Sequence, residues 1–201
     1  MSEYIDRIET LTETRRSEAI DILANAFSNH PMFPPKPTGR RSHLLAVAIL
    51  DAFADAPDAT LFGISRDGEL VCVAFAFRDG YTPRGLTLAW FLWRMVKVFG
   101  LRMYSTMAWR VKSDKSSGDE QRLELILLGT RNGCQGQGLG RKMLRHLFDV
   151  ARERGYAFVV LEVAKQTPAF GLYLSEGFEV EKEVALPTMA MCIMRRPLNS
   201  N

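Results

Sequence analysis

Leu128-Gly129-Thr130-Arg131-Asn132-Gly133-Cys134-Gln135-Gly136-Gln137-Gly138-Leu139-Gly140 is the stretch from which the fold is read. The apolar run Arg122 to Thr130 stops in it, and a helical pattern begins at its end. That run is nearly continuous in apolar residues, the pattern of a strand buried on both faces. From about 138 to 154, Leu139, Met143, Leu144, Leu147, Phe148 and Ala151 form one stripe. Arg141, Lys142, Arg145, Asp149 and Arg152 form the other. This is the period of an amphipathic helix, and Gly155 is placed to end it. Tyr156 to Ala164 supplies a further strand, completing a βαβ unit. The class is therefore α/β or α+β, with a mixed central sheet.

The loop between strand and helix suits an anion. Glycine lets the backbone approach a ligand and turn its N–H groups toward one point. The helix N-terminus adds partial positive charge. Arg141 and Lys142 in the first turn oppose the helix dipole but would favour an anion. A Walker A loop requires Lys-Ser/Thr after the last glycine; here Gly138 is followed by Leu139-Gly140, and the motif fails. A dinucleotide fingerprint requires Gly-x-Gly-x-x-Gly, whereas Gly136, Gly138 and Gly140 give Gly-x-Gly-x-Gly. Glu162 lies near the distance of a ribose acceptor, which keeps that reading open, although little chain follows for a large doubly wound sheet. Four glycines from Gly133 to Gly140 are hard to explain by turning alone.

Outward from the loop, residues 4–11 read as a first strand, and Thr14 is placed to cap a helix on which Ala19, Ile22, Leu23, Ala26 and Phe27 recur. The segment 30–37 is too rich in proline to continue that helix. A second helix fits 40–55, with Leu44, Ala48 and Phe53 inward. Thr60–Ser65 and Glu69–Arg78 read as a hairpin across Asp67-Gly68. A helical segment follows over about 84–111, then a polar loop over 112–120. Pro168 starts a short helix that ends near Gly177, and Phe178–Val184 and Met189–Met194 close the sheet. About seven strands flanked by helices result.

The chain has 201 residues and a formal net charge of +3. That length suits one domain with a single core, and that charge is too mild to indicate nucleic-acid binding. The charge is uneven: Arg84, Arg94, Lys97, Arg102, Arg110, Lys112 and Lys115 stand against Asp114 within residues 81–118. This basic segment is either a solvated face or a surface for an anionic ligand or membrane. Its apolar part, Leu86 to Trp109, is broken by Arg94, Lys97 and Arg102, so a spanning helix is not expected. Cys72, Cys134 and Cys192 form no CxxC pair, and His30, His43 and His146 form no metal spacing. Reduced thiols, no metal and a cytoplasmic setting are expected, and no secretory leader is read at the N-terminus.

Gln135-Gly136-Gln137-Gly138-Leu139-Gly140 resembles the Gln/Arg-x-x-Gly-x-Gly/Ala signature of the GCN5-related N-acetyltransferase (GNAT) family. Ala169-Phe170-Gly171-Leu172-Tyr173-Leu174-Ser175-Glu176-Gly177-Phe178 resembles the family's Ala-x-x-Leu-Tyr-x-x-x-Gly-Phe motif. The resemblance is clearest over 120–196. Ala26-Phe27 before His30-Pro31 is similar to members of the puromycin acetyltransferase type.

The resemblance implies an acyl-CoA N-acyltransferase fold across the chain, residues 1–201. It also implies acetyl-CoA-dependent transfer to an amine in a ternary complex. By that likeness Leu128, Gly129 and Thr130 line the acetyl and pantetheine groups. Gln135, Gly136, Gln137, Gly138, Leu139, Gly140 and Arg141 hold the pyrophosphate. Gln166 stands where the family often has an asparagine. Glu124 matches a position that carries a catalytic base in several members, and its apolar strand would raise its pKa. It is otherwise a solvent-facing or ion-paired residue. Tyr173 matches the tyrosine beside the CoA sulfur, and is otherwise a core residue. Cys134 is either a small filler or an activated thiol, and His30 a candidate for the acceptor pocket, which segments 30–37 and 84–111 would shape. The expected acceptor is a small-molecule amine. An inactive CoA-binding module, a nucleotide-dependent oxidoreductase and a peripheral membrane protein are the competing readings. Oligomeric state is open.

Overall fold

Asp67 and Gly68 both adopt positive φ, 52° and 84°, as the two central residues of a type I′ hairpin turn must. They join β2 (Thr60–Arg66) to β3 (Glu69–Arg78) at the middle of the fold. The computed structural model describes residues 5–30, 39–100, 121–186 and 189–198. The other elements are β1 (Asp6–Thr10), α1 (Arg16–Ala26), α2 (Gly39–Ala52), α3 (Gly85–Phe99), β4 (Arg122–Thr130), α4 (Leu139–Glu153), β5 (Phe158–Ala164), α5 (Pro168–Ser175), β6 (Glu179–Leu186) and β7 (Met189–Pro197).

The seven strands form one sheet in the order β1-β2-β3-β4-β5-β7-β6. Only the central pair β4–β5 is parallel; the other pairs are antiparallel. The expected mixed sheet flanked by helices is therefore present. One apolar core lies between the sheet and α4–α5, with Phe62, Leu123, Leu125, Leu144, Phe148, Leu161 and Met194. A second lies on the opposite face under α1, α2 and α3, with Leu23, Ile49, Phe53, Phe75, Phe77, Phe91 and Leu127. Burial on both faces accounts for the near-continuous apolar run in β4.

One residue changes the course of β4. Phe75 pairs with Leu127 and Ala76 with Leu125, which leaves Ile126 as an extra residue in β4. Such a bulge bends a strand and shifts its alternation. Before it, Leu123 and Leu125 face α4; after it, Leu127 faces α1–α3 and Leu128 faces α4. The β4–β5 ladder also ends there, at Leu125 with Leu161. Beyond it β4 stays on β3 as far as Thr130, and β5 stays on β7 as far as Ala164. The two central strands thus part toward the glycine loop.

Several details correct the sequence reading. Thr14 is not the cap of α1. It lies in a 3₁₀ turn, Glu13–Arg15, its hydroxyl 2.8 Å from that of Thr12, and α1 begins at Arg16. Helix α2 stops at Ala52, short of 55, in a turn over 53–55; Leu44, Ala48 and Phe53 do pack on the core as expected. His146, on the polar side of α4 by its position in the sequence, is half-buried edge-on against Phe62, at 5.5 Å. Of the helix expected over 84–111, α3 ends at Phe99 with Gly100 at φ 60°. Residues 101–120, and 31–38 of the proline-rich segment, lie outside the described residues.

Candidate functional site

At the end of β4, Arg131 anchors the loop before it turns. Its N–H donates to Val71 O at 2.9 Å. Its guanidinium donates to Leu70 O at 2.7 Å, Glu18 at 2.8 Å and Glu69 at 3.3 Å. Glu18, on α1, also accepts from Arg15 and from the Leu70 N–H. Burial pushes the Glu18 carboxyl up, but its cationic and N–H partners outweigh that and hold it below the usual range. Two segments distant in sequence, the start of α1 and β3, are thereby tied to the root of the loop. Sequence reasoning missed Glu18 and Arg131, since nothing in the local pattern relates residues so far apart in the chain.

Gly133, Gly136 and Gly138 have φ of 84°, 75° and 80°. A Cβ at any of them would meet no atom within 4 Å. Their need for glycine is thus conformational, and the space before them is open. Among the described residues, the turn at Gln135-Gly136 aside, no backbone N–H of residues 135–141 reaches a backbone acceptor. Gln137 braces the loop by donating to Gly133 O at 3.2 Å and accepting from Arg66. Gln135 is exposed and reaches Asn132 at 3.5 Å. Cys134 is half-buried against the α4-side core, the place of a filler.

Helix α4 starts at Leu139, which is buried, after Gly138. Its polar first turn is tied on both sides. Lys142 reaches Asp6 of β1 at 3.2 Å. Arg141 donates to Ser175 at 3.2 Å, and its guanidinium pairs with the buried Glu176, which also takes Arg145 at 3.3 Å. A Cβ on Gly140 would lie 3.2 Å from Leu172. Gly140 thus serves the approach of α5 to α4.

Along β4, Gly129 is crowded: a Cβ would stand 3.0 Å from Ala26 and 3.2 Å from Leu23 of α1. Leu128 packs on the α4-side core. Thr130 donates its hydroxyl to the Cys72 sulfur at 3.6 Å. Cys72 is buried, and that burial pushes its thiol up to about 11. Tyr173, on α5, is buried beside Phe178 at 5.5 Å. Burial, and then Cys72, push the phenol well above its ordinary value. Among the described residues its hydroxyl has no hydrogen-bond partner. Gln166 is exposed in the turn between β5 and α5.

Glu124 is half-buried and pairs with Phe77 and Val160 across the sheet, on the α1–α3 face. It stands two residues before the bulge. His30, past the end of α1, is half-buried 5.7 Å from Phe27, and burial lowers its imidazole. The structure thus brings Leu128, Thr130, the glycine loop and α4 to one end of the sheet. It sets Glu124 on the opposite face from Tyr173 and does not bring these two side chains into contact.

Residues 25–178 match the model of the acetyltransferase (GNAT) family. Human N-acetyltransferase 8B is 41% identical over 61 residues, 30% of this chain and 27% of that protein. Streptothricin acetyltransferase of Streptomyces lavendulae is 41% identical over 59 residues, 29% of this chain and 31% of that protein. Each match thus spans under a third of the curated relative. Among solved structures, a histone acetyltransferase HPA2 and related acetyltransferase from Corynebacterium glutamicum superposes with TM-score 0.68 at 21% identity, over 98% of both chains. The PaiA N-acetyltransferase of Thermoplasma acidophilum, in complex with coenzyme A, gives 0.60 at 13%, over 96% of this chain and 99% of that one. The parted central strands, the open glycine loop and this match over most of the chain lead to one conclusion: the chain belongs to the acetyltransferase (GNAT) family.

Proposed function

We propose that residues 1–201 form one cytoplasmic N-acetyltransferase domain that moves an acetyl group from acetyl-CoA to the amine of a small molecule, by direct transfer in a ternary complex. The observation that carries this reading is the loop at residues 135–141, where the positive-φ glycines Gly136 and Gly138 border open space beside the parted strands and the start of α4. That arrangement fits a pyrophosphate. The likeness to a streptothricin acetyltransferase supports a small-molecule acceptor.

Acetyl-CoA supplies an activated thioester when bound. Leu128 and Thr130 offer backbone groups along the strand gap, and Gln135 to Arg141 hold the diphosphate. Gln166 lies at the rim for the pantetheine arm. Glu124, directly or through a water, takes the proton that the attacking amine must lose. As the C–N bond forms and the C–S bond breaks, the Tyr173 hydroxyl gives its proton to the departing sulfur. Burial keeps that phenol protonated across the physiological range.

Calorimetric titration with acetyl-CoA, beside NAD and ATP, tests the reading first. Micromolar binding of acetyl-CoA alone, followed by turnover on an amine panel, is the expected result. Absence of acetyl-CoA binding by folded protein overturns it, and binding without turnover on any amine makes the chain a binding module.

A further inference from the structure

Helix α3 is apolar on two faces. Phe91, Met95 and Val98 are buried against the α1–α3-side core. On the outer face Leu86, Trp90, Trp93 and Val96 are 89%, 45%, 52% and 47% exposed. They recur at three- and four-residue steps, so they form one stripe along the helix. A surface helix ordinarily carries charged residues there, and two exposed tryptophans in a stripe of this kind mark a contact surface.

Charge indicates what meets the stripe. From Gly80 to Ser113 the sequence holds no Asp or Glu, but Arg84, Arg94, Lys97, Arg102, Arg110 and Lys112. Arg94 is held by Asp51 at 2.8 Å while lying over the Trp90 ring, 3.1 Å from its centroid. The Lys97 ammonium lies over Trp93 at 3.6 Å. Among the described residues, neither Arg84 nor Lys97 has a carboxylate partner. A second copy of this chain would set one basic stripe against another, which like charge opposes. An anionic bilayer sets negative headgroups over an apolar layer, and tryptophan favours that boundary. At 15 residues α3 is too short to cross, and no helix among the described residues is long and apolar enough to do so.

We propose that α3 docks on the surface of an anionic membrane, lying in the interface. Trp90, Trp93, Leu86 and Val96 enter the headgroup–acyl boundary, and Arg84 and Lys97 meet the lipid phosphates. The docking is peripheral and weakens with salt. It does not depend on which amine the chain acetylates.

Flotation of the full chain with phosphatidylcholine vesicles, with and without about one third phosphatidylserine, tests this at low and high salt. The chain floats with the anionic vesicles at low salt, and its tryptophan emission shifts to the blue. Trp90→Ser with Trp93→Ser lowers the partition about tenfold or more, and Lys97→Glu lowers it several-fold. Thermal unfolding of Lys97→Glu stays at the wild-type temperature, so a misfolded tryptophan variant does not decide the matter. Failure to float with anionic vesicles at low salt overturns the proposal. So does flotation that survives all three substitutions. A concentration-dependent dimer in light scattering, dissolved by the tryptophan changes, also overturns it and assigns the stripe to a second copy.

Discussion

A buried phenol without a partner has a proton available, and Tyr173 is in that state among the described residues. Replacing it with phenylalanine keeps the ring against Phe178 and removes only the hydroxyl. Tyr173→Phe is expected to lower kcat about a hundredfold, with acetyl-CoA affinity by calorimetry within about twofold of wild type. Equal kcat would remove the acid role. Gly138→Asp acts on the other partner of the reaction. It forces a side chain into φ 80° and sets a carboxylate in the loop proposed to hold the pyrophosphate. Loss of acetyl-CoA binding is expected, and unchanged affinity would refute the phosphate loop. At this scale the sequence was most legible where a motif is contiguous, as in the glycine loop and around Tyr173. It was least legible where residues meet across the chain: Glu18 with Arg131, or Arg141 and Arg145 on Glu176, are properties of three-dimensional neighbours alone.

Among the elements, α1 and β4 are held together by an absence of side chain at Gly129. Gly129→Val would drive its β-carbon into Ala26 and Leu23 and lift α1 from the sheet. The expected cost is about 1–3 kcal/mol, read as a fall in midpoint of denaturant unfolding. Gly136→Ala meets no such wall, so its cost comes only from positive φ, at about 1 kcal/mol. Periodicity revealed α4 and the hairpin because both are local patterns. It did not reveal the bulge at Ile126, since an extra residue exists only in relation to the partner strand β3. Nor did it place the end of α3 at Phe99, since the apolar character continues past Gly100 in the sequence.

Over the whole molecule, Asp6 joins the first strand to the rest. Its carboxylate takes Arg66 at 2.8 Å and Lys142 at 3.2 Å, linking β1, β2 and the first turn of α4. The Arg66 hydrogen bond, chiefly, lowers the Asp6 carboxyl below its usual 3.8; burial opposes this, and Lys142 adds to the lowering. A depressed carboxylate stabilises the fold at pH above its unfolded value and loses that contribution as pH falls through the folded one. Asp6→Asn is therefore expected to cost about 1 kcal/mol near neutral pH. The difference should vanish below the acid range of Asp6, as measured by thermal unfolding across pH. The uneven charge of the sequence foretold where the basic segment lies, but which of its side chains reach solvent became visible only once α3 had a buried face.

The parting of β4 from β5 makes a slit through the sheet, and a slit is approached from two sides. Glu124 and the α1–α3 layer border one side; the glycine loop, α4 and Tyr173 border the other. Two reactants that meet in the middle need not queue at one door. In the ternary complex proposed above, neither reactant has to leave before the other binds. Initial-velocity plots with both substrates varied are then expected to intersect; parallel lines would mean that the acetyl group rests on the protein after CoA has left and before the amine binds.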